Sequence, residues 1–235
     1  MTKKEPTVST AQALNDLFPQ SMIPRILFED PQLIVLSKPA GLLSQGEHRG
    51  DPNLVDWLRV YLGRPYVGMI HRLDRNTSGI MLVAKRTKSA QRLTLALQEG
   101  KIQRIYLAWL VGELTQTAHW QHFLQKSERL NKVSVVSSAQ GKPSSLTVTP
   151  VKHLKWKNTF LTLARFKLET GRSHQIRVQA SHEGFPLLGD SKYNRDPKTA
   201  SFSRVALHSH HLEFFHPISG ELFKFDDPLP EDLDL

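Results

Sequence analysis

The sequence predicts an α+β fold built around one largely antiparallel sheet. Short apolar runs with period-two alternation recur along its 235 residues and outnumber the helical stripes, so strands should outnumber helices. Turns rich in Gly, Pro and Ser separate those runs, as between hairpin-connected strands. No internal repeat or low-complexity segment competes with that reading.

Taken in order, residues 1–24 read as a short, loosely held N-terminal extension with one weakly amphipathic turn over Ala11–Phe18, and residues 25–235 as a single domain. Ile26–Ser37 holds two strand-like runs joined by a turn at Asp30-Pro31, and Lys38-Pro39-Ala40-Gly41-Leu42 forces a tight connection. Leu54–Leu62 reads as a short helix ended by Arg64-Pro65. Two apolar runs, Tyr66–Ile70 and Ile80–Ala84, bracket a polar loop, His71–Gly79. A helix follows, with Thr87 as N-cap, Ala90, Leu93 and Leu97 as its apolar stripe and Gly100 as its stop. Arg104–Val111 alternates, with Ile105, Leu107, Trp109 and Val111 on one face and Arg104, Tyr106 and Ala108 on the other, which turns Tyr106 away from the larger apolar face. Further strands are expected at Lys132–Val136, Leu146–Val151, Thr159–Leu168 and Arg204–Phe215, and a helix capped by Ser173 and ended by Gly184.

Composition narrows the function classes. With 31 Lys and Arg against 22 Asp and Glu the net charge is +9, which points to a polyanionic partner, nucleic acid ahead of a membrane surface. The cations are spread along the chain, so they would have to gather as a folded face. There is no cysteine, which removes disulfides and thiolate metal sites and makes the cytoplasm the expected compartment. No apolar run approaches the roughly 18 residues that span a bilayer. A monomer is expected.

Chemistry concentrates in two polar stretches. In His71–Gly79 one carboxylate, Asp74, sits between Arg72 and Arg75, and a nearby guanidinium favours its ionised form, available as nucleophile or base. The bland alternative is a turn in which Asp74 and Asn76 bond their own backbone, closed by Ser78-Gly79. In Thr170–Val178 a helix N-terminus beside Arg172 offers N–H groups and a guanidinium to a phosphate, or is simply a capped amphipathic helix with exposed arginines. Four histidines, at 208, 210, 211 and 216, invite a metal reading, but with Glu213 the nearest carboxylate and no cysteine no metal site is assigned.

The wording of these stretches carries a resemblance. HRLDRNTSGIMLVAK (71–85), KPAGL (38–42), TGRSHQIRV (170–178) and GFPLLGD (184–190), followed by the 207–220 region, resemble the successive motifs of the RluA-type pseudouridine synthases, in the family's order from about Ile26 to Phe225. That resemblance implies the pseudouridine synthase fold, a mixed sheet with an RNA cleft across its middle, and a catalytic domain over residues 25–235. It implies isomerisation of a uridine to pseudouridine in a tRNA or rRNA stem-loop, without a cofactor. Asp74 is then the nucleophile, Arg177 its charge partner, and Tyr106 the ring packed on the uracil, either as base toward carbon 5 or only by stacking. Arg72 would fill the gap left by the extruded uridine, with Arg75, Arg172 and His174 also on the RNA. The chain departs from the pattern at Arg104, where many relatives carry Lys, and over 116–142, which aligns with nothing. The rival function is a non-catalytic RNA-folding factor on the same fold; a nuclease lacks the carboxylates for two metals.

Overall fold

The computed structural model describes residues 8–46 and 50–235. In chain order its elements are α1 (Val8–Leu17), β1 (Arg25–Glu29), β2 (Leu33–Lys38), α2 (Leu54–Leu62), β3 (Gly68–Met69), β4 (Ser78–Ala84), α3 (Thr87–Gln98) and β5 (Gln103–Val111). There follow β6 (Ala118–Ser127), β7 (Lys132–Val136), β8 (Lys142–Trp156), β9 (Thr159–Leu168), α4 (Gln175–His182), the single turn α5 (Pro197–Ala200), β10 (Leu207–Phe215) and β11 (Leu222–Asp226). Strand pairs within each of the chain's two units run antiparallel, and the α+β expectation is borne out. The chain divides into two compact units, residues 1–102 with 211–227 and residues 103–210 with 228–235.

In the first unit β2 lies between β1 and β4, β3 adds to β4, and β11 pairs with the second half of β10. Leu33 to Leu36 and all of β4 are buried, as expected of strands covered on both faces. On one face Leu33, Val35, Ile80, Leu82 and Ala84 meet Ile70, Leu93, Ile102, Leu212 and Phe214 in one core, where burying a Leu, Ile, Val or Phe side chain contributes roughly 1.5–3 kcal/mol. Asp30 accepts the N–H groups of Gln32 (2.7 Å) and Leu33 (2.8 Å), which fixes the β1–β2 turn. Asn53 caps α2 by accepting the Asp56 N–H, and Gly63, at φ 62°, ends it one residue before Arg64-Pro65. The α3 stripe packs on the core as expected, but Thr87 lies inside the helix: the N-cap is Arg86, which makes no side-chain cap. The Tyr66–Ile70 run keeps only the two residues of β3 as strand. The amphipathic turn near the N-terminus is a helix of 10 residues that packs on α2, with Leu14 and Phe18 buried; the first seven residues of the 1–24 segment lie outside the described residues.

In the second unit the strand order is β5-β9-β8-β6-β7. Leu107, Trp109 and Val111 join Leu161, Leu163 and Leu188 in its main core, and Trp109 Nε1 donates to Leu233 O (2.7 Å). The opposite face of β5 is buried as well, with Arg104, Tyr106 and Ala108 all below one-tenth exposed. The unaligned 116–142 segment supplies β6 and β7, and the latter carries Val133 into a second cluster with Leu124, Val178 and Tyr193. Strand β8 runs well beyond the expected Leu146–Val151 because it pairs with β6 near its start and with β9 toward its end.

Candidate active site

In the first unit the register sets Lys38, at the end of β2, opposite Gly79, near the start of β4. The KPAGL turn and the 71–77 loop therefore leave the sheet side by side. Lys38 is fully buried, and its ammonium, which has three donors, reaches three carbonyls: Leu42 O (2.8 Å), Pro39 O (2.9 Å) and Arg75 O (3.2 Å). Gly41 N–H also donates to Arg75 O (2.8 Å), and Arg75 Nε returns to Gly41 O (3.2 Å). One residue ahead of Asp74, both backbone groups of Leu73 are bonded to Ser44 Oγ, the carbonyl accepting at 2.7 Å and the N–H donating at 3.1 Å. His71 Nε2 accepts the Leu82 N–H (3.1 Å), which places the ring proton of a neutral imidazole on Nδ1.

Asp74 thus projects from a backbone held on both sides, half-buried, while Arg72, Arg75 and Asn76 are exposed. Thr77 N–H donates to Asp74 O (3.1 Å), so the turn closes at Thr77 and Ser78-Gly79 already belong to β4 rather than closing it. A carboxylate so placed can meet an incoming sugar or base without first being ordered, which is where positioning lowers a barrier.

In the second unit the loop between β9 and α4 is organised by Gln175, not by Ser173. Gln175 Oε1 accepts Thr170 Oγ1–H and the Arg172 N–H, both at 2.9 Å, and its Nε2 donates to Ser145 O (3.0 Å). The N-cap position is His174, in the left-handed region at φ 52°. Arg172 is exposed, with Nε on Pro143 O (3.3 Å). Arg177, the first-turn arginine of α4, is buried and grips fully buried Asp190 with two bonds, Nε–Oδ2 at 2.7 Å and Nη2–Oδ1 at 2.8 Å. Asp190 also accepts the N–H groups of Lys192 (3.1 Å) and Tyr193 (3.2 Å). The Tyr193 ring lies 5.2 Å from the Arg177 guanidinium carbon. Its hydroxyl meets the Val133 N–H (2.8 Å) and His174 Nδ1 (2.7 Å). Tyr106 sits on β5 opposite Phe166, two residues from Arg104 and on the same face. A Cβ at Gly171 would lie 2.7 Å from the Arg104 Nη1, so the glycine of TGRSH gives that guanidinium its room.

Each predicted residue is therefore placed within its own unit: Arg72, Asp74 and Arg75 on one clamped loop, and Arg172, His174 and Arg177 on one loop and helix, with Tyr106 on β5. Sequence reasoning missed Lys38 and Ser44, which hold the first loop, and Asp190, Gln175 and Tyr193, which hold the second. Lys38 closing an apolar run and Asp190 following Leu187-Leu188-Gly189 were the available signals. The histidines find other work, His216 on Asp30 (2.9 Å) and His211 on Asp226 (2.7 Å), a carboxylate nearer in space than Glu213. Among the described residues no three His, Cys, Asp or Glu side chains gather as a metal site, and no helix is long and apolar enough to cross a membrane.

The family model described as RNA pseudouridylate synthase matches residues 32–182, which contain the Asp74 loop and reach through the Arg177 helix. The chain belongs to the RluA-type pseudouridine synthases. Two similar relatives, both named ribosomal large subunit pseudouridine synthase D, come from Pseudomonas aeruginosa and Zymomonas mobilis. The first is 34% identical over 245 residues, 94% of this chain and 73% of its own length, and the second 34% over 241 residues, 92% and 73%. Human RNA pseudouridylate synthase domain containing 1 shares the fold, with a TM-score of 0.76 at 24% identity over 92% of this chain and 89% of its own. Human RNA pseudouridylate synthase domain containing 4 does so with a TM-score of 0.71 at 20% identity over 96% and 93%. The pseudouridine synthase is thus an RNA uridine isomerase, and the expectation of an enzyme over a non-catalytic RNA-folding factor is borne out.

Proposed function

We propose that this synthase isomerises a uridine of structured ribosomal RNA, in the large subunit, with Asp74 as nucleophile. The observation that supports this most is the Asp74 loop, a half-buried carboxylate on a backbone fastened by Ser44 ahead of it and Lys38 behind it. The names of the relatives favour ribosomal RNA over tRNA. In the reaction the N1–C1′ bond breaks and a C5–C1′ bond forms to the same sugar, while C5 loses a proton and N1 gains one. Atoms and electrons balance, so no cofactor is needed. Asp74 expels or captures the base, Arg177 serves as the charge partner that the family resemblance assigns to it, and Tyr106 packs on the uracil and takes or helps to take the C5 proton. A stacked uridine hides the reacting atoms, so it is extruded, and exposed Arg72 fills the gap. Arg75, Arg172 and His174 hold the RNA around it, and the enzyme works as a cytoplasmic monomer.

Asp74→Asn keeps the shape and removes the charge. Incubated with transcribed large-subunit ribosomal RNA, the variant should bind as wild type does and yield no pseudouridine after digestion to nucleosides. Turnover near wild type would remove Asp74 from the chemistry. Pseudouridine formed in a tRNA transcript alone would leave the chemistry and overturn the ribosomal assignment.

A further inference from the structure

The 116–142 segment, which the active-site reading does not use, has one strand on a groove. Strand β7, helix α4 and the 192–195 segment enclose about 500 Å³ within the second unit, a volume in the roughly 300–1,000 Å³ range of sites that hold a small molecule. Its floor is apolar, made by Val133, Val135, Val178 and Pro186. Its rim is cationic, with Lys132, Lys192 and Arg195 joined by exposed His182, and no carboxylate is among the described residues that line it. Lys132 Nζ stands 5.7 Å from the Tyr193 ring centroid, and Lys192 Nζ donates to Asn131 O (2.7 Å), so two of the cations stand beside the groove wall.

Resting on the RNA reading above, we infer that this groove binds a single-stranded segment of the substrate RNA, with one nucleotide over the valine floor and its phosphates on Lys132, Lys192 and Arg195. An apolar floor under a positive rim matches a nucleotide, whose base has an uncharged face and whose backbone is anionic. A bare anion would have no use for the floor. The net charge of +9 gains a location by this assignment.

The test is the variant Lys132→Gln/Lys192→Gln/Arg195→Gln, whose three positions are exposed or partly so and should leave folding intact. A fluorescein-labelled oligouridylate is titrated by anisotropy across a KCl series. Three lost phosphate contacts should lower the slope of log affinity against log salt by about 2 and weaken binding severalfold at low salt. On ribosomal RNA the variant should show a raised KM with kcat retained. Independently, RNA carrying 4-thiouridine should crosslink to wild-type peptides spanning 132–135 or 192–195. Wild-type affinity and slope in the triple variant, or crosslinks confined to other peptides, would overturn the assignment. Failure of the parent reading looks different: wild-type protein would make no pseudouridine on any RNA, while anisotropy and crosslinking would still decide the groove.

Discussion

Replacing Lys38 by Met removes the buried ammonium and keeps an unbranched side chain of similar length. Arg75 O retains its bond from Gly41 N–H (2.8 Å), so the carbonyls of Pro39 and Leu42 are the ones that lose a donor outright. At about 1–3 kcal/mol for each buried group left unsatisfied, the loss is at most about 2–6 kcal/mol, since Pro39 is only partly buried. Burying an ammonium costs free energy that Met avoids, which moves the expected value to the lower half, about 2–4 kcal/mol. For a chain of 235 residues each kcal/mol shifts Tm by roughly 2–4 °C, so the midpoint should fall by about 4–16 °C. The fold should survive, but the tie between the KPAGL turn and Arg75 is loosened, and a shift of about 1 Å at Asp74 costs roughly 10²-fold in turnover. Circular-dichroism melts and nucleoside analysis of reacted RNA read the two effects separately. A Lys38→Met protein with wild-type Tm and wild-type kcat would refute the clamp; a lowered Tm with full kcat would leave it a stabiliser that does not position Asp74.

Asp190→Asn breaks the buried Arg177 pair and should cost about 3–5 kcal/mol, read as a lower denaturation midpoint, together with most of the activity; an unchanged midpoint would show that Arg177 does not depend on it. At Gly189, with φ 75°, an added Cβ would lie 1.8 Å from Arg204 O, so Gly189→Ala should destabilise by at least about 3 kcal/mol in chemical denaturation. Gly184→Ala, equally left-handed but with nothing near the new carbon, should cost only about 1–2 kcal/mol, and similar values for the two would discount the contact. Burial lowers the His122 pKa from 6.5, with Glu183 opposing and His182 adding to the effect. The folded protein then holds that proton less readily than the unfolded chain, so the contribution is full above 6.5 and declines as pH falls below it. Urea melts between about pH 7 and pH 5 should show that decline in wild type and less of it in His122→Gln.

What the sequence made legible follows where burial leaves a pattern. Arg104–Val111, Lys132–Val136 and Thr159–Leu168 match strands because alternation or continuous apolar residues mark them, and Leu54–Leu62 matches a helix residue for residue. Strand β6 was missed because Trp120 and Leu124, its buried side chains, are four apart, a spacing that reads as helical. Leu222–Asp226 also alternates, with Phe223 and Phe225 packing toward Phe28 and Phe214, so this strand too was available from the sequence. At the site, the motif wording singled out Asp74 and Arg177, whereas the groups that fasten their surroundings come from afar. Ser44 is 29 residues from Leu73, and Asp190 is 13 from Arg177. Local spacing carries no trace of such partners. The Ser173 cap failed for a similar reason: a longer side chain, Gln175, reaches back and satisfies the loop first.

One phenol has a practical consequence for redesign. The β6–β7 hairpin invites transplantation between synthases as a means of redirecting their choice of RNA. Its inner edge is keyed by the Tyr193 hydroxyl, which takes the Val133 N–H and touches His174 in the loop ahead of α4. A graft that leaves Tyr193 behind, or puts Pro at position 133, would arrive without its latch and disturb the loop it was meant to serve. The transferable module is therefore the hairpin plus a tyrosine 60 residues downstream of the N–H it receives.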